Sequence, residues 1–166
     1  MIFLHLESYE MNGGMMKMTA QAISRNVALG NINEFSSDLN ILIAEDNVMI
    51  QELIELILDS ADCHLFMAAN GRKALEILER NQVDIILMDL EMPEMNGFEA
   101  TARIRAKETE TGEHIPILAM TGYVLENGRE KCINAGMDDF LVKPFNINDL
   151  LNAIERLTHT KLYPVL

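Results

Sequence analysis

The chain is poor in positive charge. Thirteen lysines and arginines stand against 26 aspartates and glutamates, a formal net charge of −13 over 166 residues. Such a surface repels phosphate backbones and anionic headgroups, which argues against nonspecific binding to DNA, RNA or acidic lipid. A cation or a basic protein partner remains compatible with it. Cysteine is scarce as well. Cys63 and Cys132 lie far apart and form no C-x-x-C pair, so they are expected to be buried, reduced thiols rather than a disulfide or a metal site. The four histidines, His5, His64, His114 and His159, lack zinc-ligand spacing, which disfavours a zinc enzyme. Long apolar runs are missing too. The opening MIFLHL is too short to span a bilayer and lacks the basic flank of a signal peptide. The expectation is a cytoplasmic protein with no membrane segment.

What is present is an ordinary globular composition, 49% hydrophobic and 23% charged, with enough chain for one substantial core. Residues 1–39 read differently from the rest. MNGGMMKM is rich in Met and Gly, and NINEFSSDLN in Asn and Ser. This stretch is expected to be a linker or the remnant of an upstream region, with partner docking or dimerisation as the alternative. Thr19 to Leu29 is a short helical candidate of poor periodicity. Residues 159–166 read as a short tail.

Between them, residues 40–158 carry a regular pattern. ILIA (Ile41–Ala44) is a continuous apolar run, suited to a strand buried on both faces. Ile50, Leu53, Ile54, Ile57, Leu58 and Ala61 then recur on one face of a helix. HLFMAA (64–69) is a second strand. Asn70 stands as an N-cap before a helix with Ala74, Ile77 and Leu78 inward. DIILM (84–88) is a third strand, followed by a helix over 97–106 with Phe98, Thr101 and Ile104 on one side. IPILAM (115–120) is a fourth strand, with Pro116 near its start. A weaker helix over 126–134 contains Gly128 and ends at Gly136. DFLV (139–142) is a fifth strand. Asn146 caps a last helix with Ile147, Leu150, Leu151 and Ile154 inward. Five strands alternating with five helices predict an α/β fold, a doubly wound parallel sheet in the flavodoxin-like order 2-1-3-4-5. Ligands of such sheets bind beyond the carboxyl ends of the strands, here at the switch point between strands 1 and 3.

Chemistry collects at that edge. Glu45 and Asp46 follow strand 1, Asp89 strand 3, Thr121 strand 4, and Lys143 and Pro144 strand 5. Three converging carboxylates repel one another unless a cation intervenes. Oxygen ligands without His or Cys suit Mg²⁺ or Mn²⁺. Lys143 offers a point charge, and Thr121 a hydroxyl, to a phosphoryl group. Asp89 is the candidate nucleophile, since a carboxylate can form an aspartyl phosphate. Taken singly, each residue has a plainer reading: Asp46 as a helix cap, Thr121 as a turn residue, Lys143 as a surface charge. The set at four strand ends carries the information.

At these residues the chain resembles the receiver domain of two-component response regulators, from Ile41 to about Leu157. The matching pieces are ILIAEDN, LMDLEMPEMNGFEATARIR, IPILAMTG and AGMDDFLVKPF. Their wording is most similar to receivers carried by hybrid sensor histidine kinases. The resemblance implies that Glu45 and Asp46 help to hold Mg²⁺, that Asp89 is the phosphoacceptor, and that Glu91 ligates the metal through its backbone carbonyl. It implies that Thr121 and Lys143 contact the phosphoryl group and that Phe140 is the aromatic switch. It further implies a cis Lys143–Pro144 bond. Gly122 stands where the family often has Ala, and Phe140 lacks the hydroxyl of the tyrosine sometimes found there.

The implied function is phosphorelay signal transduction as a phosphoprotein. A histidine kinase or histidine phosphotransfer protein would donate, Thr121 and Lys143 would move toward the new oxygens, and a downstream effector would read the change. Glu91 and Tyr123 are expected to tune the lifetime of the acyl phosphate. An Mg²⁺-dependent phosphohydrolase is the rival of another class, but those enzymes usually carry the nucleophile after the first strand in a D-x-D arrangement. An inactive interaction module is disfavoured by the complete residue set. No basic region or helix-turn-helix pattern follows, so no DNA-binding output is expected. The chain reads as a stand-alone receiver or a fragment of a longer phosphorelay protein, and as a phosphoacceptor rather than a turnover enzyme.

Overall fold

The computed structural model describes residues 39–59, 61, 63–122 and 128–162. The Thr19–Leu29 segment, Tyr123 and Glu126 lie outside them. Five parallel strands, β1 (Asn40–Ala44), β2 (His64–Ala68), β3 (Ile85–Asp89), β4 (Ile117–Thr121) and β5 (Asp139–Val142), form one sheet in the order β2-β1-β3-β4-β5. They alternate with α1 (Val48–Asp59), α2 (Gly71–Leu78), α3 (Gly97–Thr111), α4 (Gly128–Asn134) and α5 (Ile147–Thr158). The expected order and element count are therefore what the described residues adopt. Among the described residues, no helix is long and apolar enough to cross a membrane.

Side chains alternate across each strand, and the sheet divides the core in two. Ile41, Ile43, Ile85, Leu87, Leu118 and Met120 point to one face, where α1 and α5 cover them with Ile54, Ile57, Leu58, Leu150, Leu151 and Ile154. Leu42, Ala44, Ile86, Met88, Ile117 and Ala119 point to the other, beneath Ala74 of α2, Ala100 and Ile104 of α3 and Cys132 of α4. Every residue of β3 is buried, because it is the central strand with helices on both sides. Leu39 and Leu162, just outside the regular elements, also pack into the first half-core.

Several helix faces depart from the periodic reading. Leu53 and Ile147 were expected inside but stand exposed. Leu53 lies at the edge of the arc formed by Ile54, Ile57 and Leu58, and Ile147 is the first residue of its helix, ahead of the turn that packs. The helix after β3 runs to Thr111 and stops at Gly112, whose φ is 75°. Its polar last turns hid this extent from a pattern based on apolar spacing. Strand β4 starts at Ile117, after Pro116 rather than before it, since proline offers no N–H to the ladder. Asn70 does cap α2, accepting from the Lys73 amide, and Asn146 caps α5 through the Asp149 amide. Cys132 is a buried free thiol whose burial pushes its pKa up. Cys63 is only half-buried, contrary to expectation, with its sulfur 3.6 Å from the Ala61 carbonyl.

The amino edge of the sheet is closed by Arg105 of α3. Its Nε donates to the Gly136 carbonyl (2.7 Å), Nη1 to Glu108 (2.7 Å) and to the Ile115 carbonyl (3.0 Å), and Nη2 to Asp138 (2.7 Å). Asp138 also accepts from the Ile117 amide, and Glu108 from the Ile115 amide. This network joins α3 to the starts of β4 and β5.

Leu87 is fully buried in the central strand, whereas Leu53 is 47% exposed. Leu87→Ala is expected to lower the unfolding free energy by about 2–5 kcal/mol. Leu53→Ala should change it by no more than about 0.5 kcal/mol. Urea denaturation with an unchanged m-value checks both.

Candidate functional site

Parallel pairing brings all five carboxyl ends to one edge. Because Ala44 pairs with Met88, the next residues, Glu45 and Asp89, come side by side. Asp89 is the last residue of β3, one place later than the sequence pattern ended that strand. It pairs with Met120, so Thr121 stands one step further out on the neighbouring strand and is itself buried. Carboxylate oxygens of Glu45, Asp46 and Asp89 all lie within 4.8 Å of one another. Glu45 is 1% exposed and Asp89 6%, while Asp46 opens to solvent.

The buried acids are held by a few donors. The Lys143 Nζ lies 2.5 Å from Glu45 Oε2 and 2.9 Å from Asp89 Oδ2. The second Glu45 oxygen accepts from the Asn47 amide at 3.2 Å, and the second Asp89 oxygen from the Glu91 amide at 3.3 Å. Burial pushes the Glu45 carboxyl above its ordinary pKa; the hydrogen bond from Lys143 opposes this, and the charge of Asp89 adds to it. With all groups ionised, three carboxylates and one ammonium leave a formal charge of −2. The deficit, the all-oxygen donor set and the exposed Asp46 fit a hard divalent cation that keeps part of its water.

Each anticipated residue can now be located. Glu45, Asp46, Asp89 and Lys143 form one cluster. Thr121 ends the strand beside Asp89. Glu91 has an exposed side chain, and its backbone amide faces Asp89. Phe140 lies within β5 and packs against the half-core under α2, α3 and α4. The Lys143–Pro144 peptide is cis.

Three contributors were not legible beforehand. Gln51 of α1 donates to the Glu45 carbonyl at 2.6 Å, and the Asn47 amide to its side chain; both contacts depend on how the chain turns after β1. Gly97 is the third. A methyl group there would stand 2.3 Å from the Asp89 carbonyl oxygen, so α3 starts directly against the backbone of Asp89. A glycine between Asn and Phe reads as a chain breaker in sequence, but here it permits close approach.

The response regulator receiver domain model matches residues 41–155. The chain belongs to this family. The receiver is 39% identical, over 119 residues and 69% of its length, to hybrid signal transduction histidine kinase I of Dictyostelium discoideum, and spans 7% of that much longer protein. Among solved structures it resembles the receiver domain of the sensor histidine kinase PA1611 from Pseudomonas aeruginosa, described with a magnesium ion in its active-site cleft. That match has 39% identity and a TM-score of 0.66, covering 73% of this chain and 98% of the other. It also resembles a Saccharomyces cerevisiae co-crystal structure of the histidine phosphotransfer protein Ypd1 with the receiver domain of Ssk1. There the identity is 29% and the TM-score 0.69, with 74% and 90% covered.

Two glycines at the receiver's site edge should respond differently to added bulk. Gly97→Ala forces the Asp89 backbone or α3 to shift, because the obstructing atom is a carbonyl oxygen. It should destabilise the fold by about 1–3 kcal/mol and move the Asp89 amide resonance. Among the described residues nothing lies within 4 Å of a methyl group at Gly122, so Gly122→Ala should stay within about 0.5 kcal/mol of the parent.

Proposed function

We propose that this receiver accepts a phosphoryl group from a phosphohistidine onto Asp89 and signals the change to a protein partner. The observation that carries the reading is Lys143, whose ammonium lies within hydrogen-bond reach of both buried carboxylates. A carboxylate oxygen of Asp89 attacks phosphorus and the P–N bond to the donor imidazole breaks. The leaving nitrogen keeps the electron pair and takes up a proton. Mg²⁺ or Mn²⁺ would be held by Glu45, Asp46, Asp89 and the Glu91 backbone carbonyl, where it supplies charge neutralisation for the incoming phosphoryl oxygens. Lys143 turns from the carboxylates toward the new oxygens, and Thr121 donates its hydroxyl to another. Their displacement biases β4 and β5, and with them the packing of Phe140, toward a second arrangement.

The donor must bring its imidazole to the mouth of the site. Just beyond Asp46, α1 presents Val48, Met49, Leu53 and Leu56 to solvent, an apolar landing for a histidine kinase or a histidine phosphotransfer protein. The receiver then acts as a phosphoacceptor that catalyses its own modification rather than as a turnover enzyme. It would work in the cytoplasm, where donors are charged from ATP, and would pass its state to a downstream effector.

Incubation with a radiolabelled phosphohistidine phosphotransfer protein and Mg²⁺ should label the wild type with a hydroxylamine-labile acyl phosphate. EDTA or Asp89→Asn should abolish the label; a labelled Asp89→Asn chain would overturn the assignment. Mg²⁺ should also raise the unfolding midpoint of the wild type. At a hundredfold excess over its dissociation constant the stabilisation is about 2.7 kcal/mol. Asp46→Asn should lose most of that increment in calorimetric unfolding.

A further inference from the structure

The loop after β3 is pinned from outside the site. Its ends are closed by the Gly97 amide on the Leu90 carbonyl, at 3.2 Å. Its tip is held by the start of α2. Asn70 Nδ2 donates to Glu94 Oε1 at 3.1 Å, and the Gly71 amide donates to the Met95 carbonyl at 3.0 Å. A methyl group at Gly71 would stand 2.8 Å from that carbonyl, so the two segments run in direct contact. Glu94 has a φ of 64°, a left-handed conformation that a non-glycine residue holds only when its surroundings impose it.

Asn70 has two jobs that can be separated. It is 6% exposed. Its Oδ1 accepts from the Lys73 amide and caps α2, while its Nδ2 holds Glu94. Aspartate caps helices as well as asparagine, but it has no hydrogen to offer the Glu94 carboxylate. The cap alone therefore does not account for an amide at this position. The surface pair Arg72–Glu94, at 3.5 Å with both side chains more than half exposed, adds little.

We infer that Asn70 is a positioning residue for the metal and phosphoryl site. Through Glu94 it fixes the 91–96 loop, and so the Glu91 amide that faces Asp89 and the Glu91 carbonyl on the metal side. This rests on the reading of Glu91 as a backbone ligand. Groups outside the coordination sphere that orient a ligand typically govern metal affinity by one to two orders of magnitude.

Exchanging the polarity of the pair tests the inference. Asn70→Asp keeps the cap and sets two carboxylates against each other. It should weaken Mg²⁺ binding roughly tenfold by titration calorimetry. In the metal-free chain it should speed amide hydrogen exchange at residues 91–96 while leaving α2 protected. Glu94→Gln still accepts from Asn70 and should bind Mg²⁺ like the wild type. The double variant Asn70→Asp with Glu94→Gln restores a donor and an acceptor in reversed order, and should recover both the affinity and the slow exchange. Wild-type affinity in Asn70→Asp, or no recovery in the double variant, overturns the positioning role. Absence of Mg²⁺ binding by the wild type overturns instead the reading of the site itself.

Discussion

The site depends on the ammonium of Lys143. Burying Glu45 and Asp89 side by side is unfavourable in a low-dielectric interior, and one lysine within reach of both makes the arrangement tenable. A guanidinium would hold a carboxylate in a fixed fork, whereas an ammonium on a four-carbon stem can exchange partners without rebuilding its geometry. The compensation is incomplete by design of the residue count: three acids meet one base, and the burial of Glu45 raises its pKa even with Lys143 attached. A cluster left short of positive charge favours a divalent cation and, with it, a phosphoryl group.

Strand order turns this local chemistry into a single site. Glu45 and Asp89 leave adjacent strands, and Lys143 follows β5 at the far side of the sheet. The Lys143 amide still bonds the Thr121 carbonyl at 2.7 Å, which extends the ladder one residue past β5 and ties the lysine to the neighbouring threonine. The backbone that carries the Lys143 side chain is thus coupled to β4. On the proposed function, that coupling links phosphorylation of Asp89 to Phe140, which lies three residues before the lysine.

Strands β1 and β3 were legible because nearly all of their residues are buried. Continuous apolar runs such as Ile41–Ala44 and Ile85–Met88 have few alternative readings, and the acids that follow them mark the carboxyl edge. The caps Asn70 and Asn146 were legible because their bonds are local, reaching three residues ahead. The exposure of Leu53 and Ile147 was not legible, because periodicity gives a helix face but neither how wide the packed arc is nor at which turn packing begins. Gln51, Gly97 and the donor side of Asn70 were not read as parts of the site because their partners are distant in the chain or are backbone atoms. Asn70 illustrates the divide within one side chain: its oxygen makes the contact a sequence can suggest, and its nitrogen the one only the fold provides.

The two edges of the sheet are built on opposite principles. At the amino edge, Glu108 and Asp138 share one guanidinium, two backbone amides and the ring of His114, whose Nε2 lies 2.7 Å from Asp138. Hydrogen bonds there run among α3, β4 and the turn before β5, and a network satisfied in this way resists displacement. At the carboxyl edge the acids are under-compensated, and a residue with positive φ holds the loop tip. A sheet closed firmly at one end and charged at the other confines its response to added charge to the second. The beginnings of β4 and β5 are tied to Arg105 and Asp138, so on the proposed function a displacement at Thr121 and Lys143 would be expressed as a tilt of the strand ends and of what packs beside them. Phe140, between the Asp138 anchor and Lys143, would then occupy the short span where that tilt is absorbed.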